Sequence, residues 1–310
     1  ISDYNNLRAG PDGMKILLDI LLSIEMMKLQ PDIIHVHNYE APLVSVIGRY
    51  HRKIPMVYSA HNTMEEELPT YFSNEIQRTF ARLVGKVMDH TIPKIAEATI
   101  VIRSDSKSKL QKLGCRNVHC IEPSISLQEF DFSPIVLPDG KWIVYAGNPD
   151  RYQDLDVLFA AMDYLDSGIK LILIGSSSFD GWSESFSDRV LCIQTSDFSK
   201  VLSYIEAADV AVLPRSVCTG FPIKILNYLA VGTPVVVAEG SDMNLEGCLS
   251  FPNGDFRLMA RLISSLFEDE YLRKKLSKSG KNQIFRDYTW EQSAKKLEKV
   301  YLSLLNGVEK

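Results

Sequence analysis

Lys224 stands where a helix disfavours a cation, and that placement points to anion chemistry. It follows Gly220-Phe221-Pro222 and opens the run Lys224-Ile225-Leu226-Asn227. A proline here marks the first turn of a helix, and a positive charge in that turn opposes the helix dipole by about 0.3–1 kcal/mol. An anion held between the ammonium and the unpaired N–H groups of the helix start offsets that cost, and phosphate is the natural guest. On either side lie Val210–Leu213 and Val235–Ala238, short apolar runs of the kind that buried parallel strands show. The loop before Lys224 therefore sits at the carboxyl end of a strand, where open α/β sheets bind ligands.

Imidazoles form the second group. The segments running through Ile33-Ile34-His35-Val36-His37-Asn38 and Met56-Val57-Tyr58-Ser59-Ala60-His61 each take an apolar strand into a polar loop. A neutral imidazole can donate to a hydroxyl or carbonyl without adding fixed charge. Glu65, Glu66 and Glu67 follow as adjacent carboxylates, of which one or two at most can face the same side. Glu65 reads either as a base for an incoming hydroxyl or as part of a solvated acidic turn. Asp154-Leu155-Asp156 falls on a helix start, where carboxylates are favourable without any metal.

The elements that carry these loops alternate. Periodicity predicts helices over 13–28, 41–50, 74–91 and 104–113, with strands over 33–37, 56–59, 98–102 and 118–121. Residues 122–140, with their prolines and polar spacing, read as a linker. A second alternation follows: strands over 142–146, 170–174, 190–193, 210–213 and 235–238, with helices over 154–162 and 198–207 and one after Pro222. The tail is helical over 255–285 and again over 290–305, with Thr289 as an N-cap. Two doubly wound α/β domains with a cleft between them are expected: residues 1–130, residues 137–285, and a closing helix over 286–310.

Composition narrows the class. In 310 residues, 45% hydrophobic and 24% charged, there is enough apolar content for two cores. The net charge of −5 gives no general attraction to nucleic acid. Five cysteines, odd in number and without a C-x-x-C spacing, suggest reduced thiols and a cytoplasmic setting. The longest apolar stretch, 14–27, is interrupted by Lys15, Asp19 and Glu25 and is too short to span a bilayer. In 74–91, Arg78, Arg82 and Lys86 recur at helical spacing beside Phe80, Leu83, Val84, Val87 and Met88. That pattern fits a peripheral membrane helix at the inner face of a membrane, or a core helix with a solvated basic face.

The run from Gly220 to Val236 resembles the donor-binding motif of family-four, or group 1, retaining glycosyltransferases of the GT-B fold. Gly220, Phe221, Ala230, Gly232, Pro234, Val235 and Val236 match. The family's two acidic positions are Thr219 and Asn227 here, and its diphosphate-binding Arg and Lys after Gly147 are Asn148 and Gln153. The resemblance implies a metal-independent transferase that needs no cofactor, moving sugar from a nucleotide-sugar donor to a carbohydrate or lipid-linked acceptor. It implies donor contacts from Gly147, Asn148, Gln153, Thr219, Gly220, Phe221, Pro222, Ile223 and Asn227, with His61 as a catalytic group, and Lys224 joins it on the strength of its place at the helix start. On the acceptor side His37 and Asn38, in the segment that resembles the family's, are expected together with Glu65. Measured against the family, the first domain is expected to lack its opening β-loop-α units before residue 33. The neutral replacements leave a second reading, a non-catalytic GT-B relic or fragment that binds nucleotide-sugar or serves as a scaffold.

Overall fold

The computed structural model describes residues 13–49, 54–179, 188–215 and 220–308. They fall into two compact units, one taking the chain to Glu122 and again from Ser293, the other the continuous stretch Pro123–Gln292.

The first unit contains α1 (Gly13–Lys28), β1 (Ile34–His37), α2 (Glu40–Arg49), β2 (Met56–Ala60), α3 (Met64–Glu67), α4 (Glu75–Thr91), β3 (Ala98–Val101), α5 (Ser104–Lys112) and β4 (Val118–Cys120). Its strands pair in parallel in the order β1-β2-β3-β4. Every residue of β2 and β3 is buried, as expected of parallel strands covered on both faces.

The second unit contains β5 (Lys141–Ala146), α6 (Leu155–Met162), β6 (Ile169–Gly175), β7 (Val190–Gln194), α7 (Phe198–Ala207), β8 (Val210–Leu213), α8 (Lys224–Val231), β9 (Val235–Ala238), β10 (Cys248–Phe251), α9 (Phe256–Glu268) and α10 (Glu270–Asp287). Its sheet runs β10-β9-β8-β5-β6-β7, all parallel. The chain winds outward in one direction from β5 through β7, then returns to the other side of β5 with β8. The order therefore reverses between β5 and β8, and loops leaving those two strands open a crevice at their carboxyl ends. All eight residues of β8 and β9 have no exposed surface, and each buried Val or Leu contributes about 1.5–3 kcal/mol. That is a firm floor for the loops above.

Glycine at the end of α8 shows how the sequence sets a boundary. Gly232 takes φ +99°, a left-handed conformation cheap only without a Cβ, and Thr233 N–H turns back to the Tyr228 carbonyl at 2.9 Å. The last helix, α11 (Trp290–Val308), returns to the first unit. Leu297, Val300, Tyr301 and Leu304 pack there on Val57, Ala98 and Ile100 of the sheet.

Candidate functional site

At the reversal point of the second unit, a cavity of about 370 Å³ is lined from β5 and its loop by Ala146, Gly147, Asn148 and Gln153, and from α8 by Lys224 and Asn227. Thr195, Ser196 and Phe198 close another side. The volume lies within the range of small-molecule sites.

Tyr228, fully buried on α8, ties this wall together. Its hydroxyl accepts from Ala146 N–H at 2.8 Å and donates to the Ala146 carbonyl at 3.2 Å, which fixes the end of β5 against the helix. Immediately afterwards Gly147 adopts φ +143°, and a Cβ there would collide with the Lys224 side chain. The glycine leaves room for the ammonium. Lys224 lies over the Tyr145 ring, 4.9 Å from its centroid, and its Nζ donates to Tyr145 Oη at 3.1 Å. Among the described residues no carboxylate pairs with it. Burial, followed by the nearby Arg215 guanidinium, pushes its pKa down to about 8 against the pull of Asp150. This is a partly buried cation with no ion-pair partner among the described residues, at the mouth of a helix.

The two residues standing where the resembling family has cations do different work. Asn148 turns its Oδ1 toward the loop after β6, accepting from Ser176 N–H (3.1 Å), Ser176 Oγ (2.9 Å) and Ser177 N–H (3.1 Å). Gly175 at the base of that loop packs so closely on the Gly147 carbonyl that an added Cβ would lie 2.7 Å from it. Asn148 thus clasps two cavity loops together with its oxygen. Gln153 is 2% exposed, and its buried Oε1 has no hydrogen-bond partner, an arrangement that costs about 1–3 kcal/mol unless something at the cavity wall satisfies it.

Not all the expected donor residues line this cavity. Phe221 is buried with its ring 6.3 Å from that of Tyr288, Pro222 is buried beneath the helix start, and Ile223 is exposed. Gly220 and these three shape the approach to α8, and Thr219 lies outside the described residues. Tyr145, Asp150, Tyr152 and Arg215 did not emerge from the sequence as site residues. Arg215 places its guanidinium over the Tyr152 ring at 5.1 Å; its one sequence signal is its position two residues past the end of β8.

In the first unit, His37 and Asn38 end β1 and His61 follows β2, its neighbour in the sheet. His37 Nδ1 and His61 Nε2 are 3.2 Å apart and share a hydrogen bond, and the His35 and His37 rings stack at 4.5 Å. His35 is pinned by Tyr301 Oη (2.6 Å) and Ser59 Oγ (2.7 Å). Burial, then the neighbouring imidazoles, lowers its pKa to about 4, and burial with His61 lowers that of His37. His35 is therefore neutral at physiological pH. Glu65 is held in an ion pair with Lys109 at 3.0 Å, which Glu66 shares at 3.0 Å. Asn38 takes a left-handed φ of +64° at the strand end.

Comparison with known proteins places this geometry. Residues 128–283, about half the chain, match the family model described as glycosyl transferases group 1, and residues 6–129 match that of glycosyltransferase family 4. A D-inositol 3-phosphate glycosyltransferase of Xylanimonas cellulosilytica is 21% identical over 87% of this chain and 71% of its own. Among solved structures, sucrose-phosphate synthase from Thermosynechococcus elongatus superposes with a TM-score of 0.76 at 22% identity, over 97% of this chain and 83% of that one. HepE of Anabaena in complex with UDP gives 0.72 at 15% identity, over 92% and 82%; its complex with UDP-glucose has also been solved.

Proposed function

The chain belongs to the group 1 glycosyltransferases of the GT-B fold, and on that premise we propose that the crevice between β5 and β8 binds a nucleoside diphosphate sugar. In this reading the sugar passes, with retention of configuration, to a carbohydrate or lipid-linked acceptor bound by the first unit. The observation that carries it is Lys224, a cation with no ion-pair partner among the described residues, turned over Tyr145 into the crevice.

When the bond between the anomeric carbon and the diphosphate breaks, negative charge accumulates on the leaving phosphate. A fixed ammonium beside a helix N-terminus stabilises that charge without reorganising at the moment of reaction. Lys224 takes over a duty that the family assigns to the Asn148 and Gln153 positions, and the reaction on this reading needs no divalent metal. Gln153 Oε1, buried and unpartnered, is an acceptor for a donor hydroxyl at the same wall. Asn227, one turn beyond Lys224 on the same cavity, suits the ribose. His61 belongs to the sugar, its imidazole steadied by His37, while Asn38 and Glu65 stand on the acceptor side. HepE in complex with UDP-glucose, a member of the same fold, supports a donor of this class.

Calorimetric titration with UDP-, GDP- and ADP-glucose, in EDTA, tests the reading. At least one should bind, and Lys224→Ala should weaken it roughly tenfold or more, the usual value of a charge-assisted contact. Failure of all three donors to bind without added metal would sink the proposal, and equal binding by the variant would remove Lys224 from it.

A further inference from the structure

His61 is itself exposed, so burial of its own ring does not decide where it stands. The three residues that follow it do, and each is tethered by a different element. Asn62 Nδ2 donates to Glu67 Oε2 at 2.9 Å, a tie to the end of α3. Met64 N–H donates to Asp89 Oδ1 of α4 at 2.7 Å. Between them Thr63, 2% exposed, is held from α5, its Oγ1 accepting from Lys109 Nζ at 3.2 Å.

The arrangement sets aside the local solution. Thr63 occupies the N-cap of α3, where a threonine hydroxyl ordinarily accepts from a backbone N–H of the first turn, yet it makes no such bond. Asp89 performs that duty instead, accepting from Met64 N–H and also from Glu65 N–H at 3.0 Å. The Thr63 hydroxyl is thereby left to Lys109, 46 residues further along the chain. An ammonium carries three donors, and Lys109 commits them all to this one segment: to Thr63 Oγ1, to Glu65 Oε2 at 3.0 Å and to Glu66 Oε1 at 3.0 Å.

Placement makes this a matter of geometry more than of stability. Helix α5 follows β3, which pairs in parallel with β2 as far as Ala60 and Val101, so Lys109 fastens the loop after one strand to the helix after its neighbour. Its side chain is 28% exposed and that of Glu66 49%, and ion pairs so open to water add little to folding. We propose that Lys109 is a positioning residue for glycosyl transfer, acting through Thr63 and the two carboxylates to hold His61 against His37. The proposal rests on the reading that His61 serves the donor sugar.

Side-chain NMR of isotope-labelled histidine in the full chain tests it, together with thermal melts, donor calorimetry and the rate at which bound nucleotide-sugar releases its nucleotide. In Lys109→Met the His37 and His61 signals should shift and lose the signature of their shared hydrogen bond. Thr63→Val, which keeps the shape and removes the hydroxyl, should move the same signals in the same direction, and Lys109→Arg should restore them. Nucleotide release should fall roughly tenfold or more in Lys109→Met and recover in Lys109→Arg. The melting temperature should stay within about 4 °C of wild type, and donor affinity should be unchanged because the crevice belongs to the second unit. Those two readouts separate positioning from folding and from binding. Histidine signals that stay put in Lys109→Met, or release at the wild-type rate with donor bound, overturn the proposal. So does a much larger loss of melting temperature that Lys109→Arg fails to repair, since the residue would then serve the fold alone. Absence of donor binding sinks the crevice reading by itself, and the imidazole signals decide Lys109 in either case.

Discussion

The ionisation of Lys224 sets a limit on anion binding in the crevice. Its pKa is held at about 8 in the free protein, chiefly by burial and then by Arg215, and an anion beside the ammonium must raise it. Donor affinity is therefore full below pH 8 and falls as pH rises above it, by up to about tenfold per unit, until the higher pKa of the complex is reached. For folding the sign is opposite: a depressed lysine penalises the folded state wherever it is charged, so this contribution improves between about pH 8 and the ordinary lysine pKa. Titrating the donor between neutral and alkaline pH should show the decline in wild type and a flat, weaker profile in Lys224→Gln. A wild-type profile that stays flat through pH 9 would place the anion elsewhere. Lys224 was legible in the sequence because a cation in a first helical turn breaks a local rule. Asn148 was not: its type permits donating or accepting, and only the proximity of Ser176 and Ser177 decides for its oxygen.

At the scale of elements, the loop that carries His61 is held by a helix remote from it in sequence. The start of α3 rests on α4 through Asp89 and through the bare Cα of Gly85, and Asn62 Nδ2 and Tyr71 Oη both donate to Glu67 inside the same loop. Gly85→Ala forces α3 away from α4. Overpacking of this kind costs about 1–3 kcal/mol, visible in denaturant unfolding, and it shifts the His61 loop while leaving the second unit's nucleotide affinity unchanged. Wild-type stability in that variant would mean that α3 is not seated on α4 as described. The sequence contained the amphipathic pattern of α4 but not its orientation, since periodicity shows that apolar residues share a face and is silent on which face is packed. Strands such as Val210–Leu213 and Val235–Ala238 were readable because every residue is apolar. Cys248–Phe251, the edge strand β10, was not, its short run being broken by Ser250 and leaving little periodic signal. Asp269, whose side chain accepts from Leu272 N–H at 2.8 Å, caps α10 and divides what had read as one helix over 255–285. A lone Asp among charged residues gives little warning of such a break.

Across the whole molecule, the two units differ in how the chain builds them. The second unit is a single continuous stretch, Pro123–Gln292, closed by its own contacts: Ile125 N–H reaches the Tyr288 carbonyl at 2.9 Å, Trp290 N–H the Ile125 carbonyl at 3.1 Å, and Trp290 Nε1 the Ser124 carbonyl at 3.1 Å. Its six-stranded sheet and the whole lining of the β5–β8 crevice lie inside those bounds. The first unit is made from two pieces, because Val300 and its neighbours from α11 cover Val57, Ala98 and Ile100, and Lys296 pairs with Glu122 at 3.1 Å. A chain ending after Gln292 would leave that apolar sheet face in water, at a cost of about 25 cal/mol for each Å² uncovered. Residues 123–292 expressed alone should therefore unfold cooperatively and bind the nucleotide-sugar within about threefold of the full chain's affinity, whereas residues 1–292 should lose the first unit's transition and aggregate. Circular dichroism melts and calorimetry on the two fragments decide this. A fragment 123–292 that folds but binds no nucleotide would show that the crevice depends on residues of the first unit, and the donor site would have to be reassigned to both.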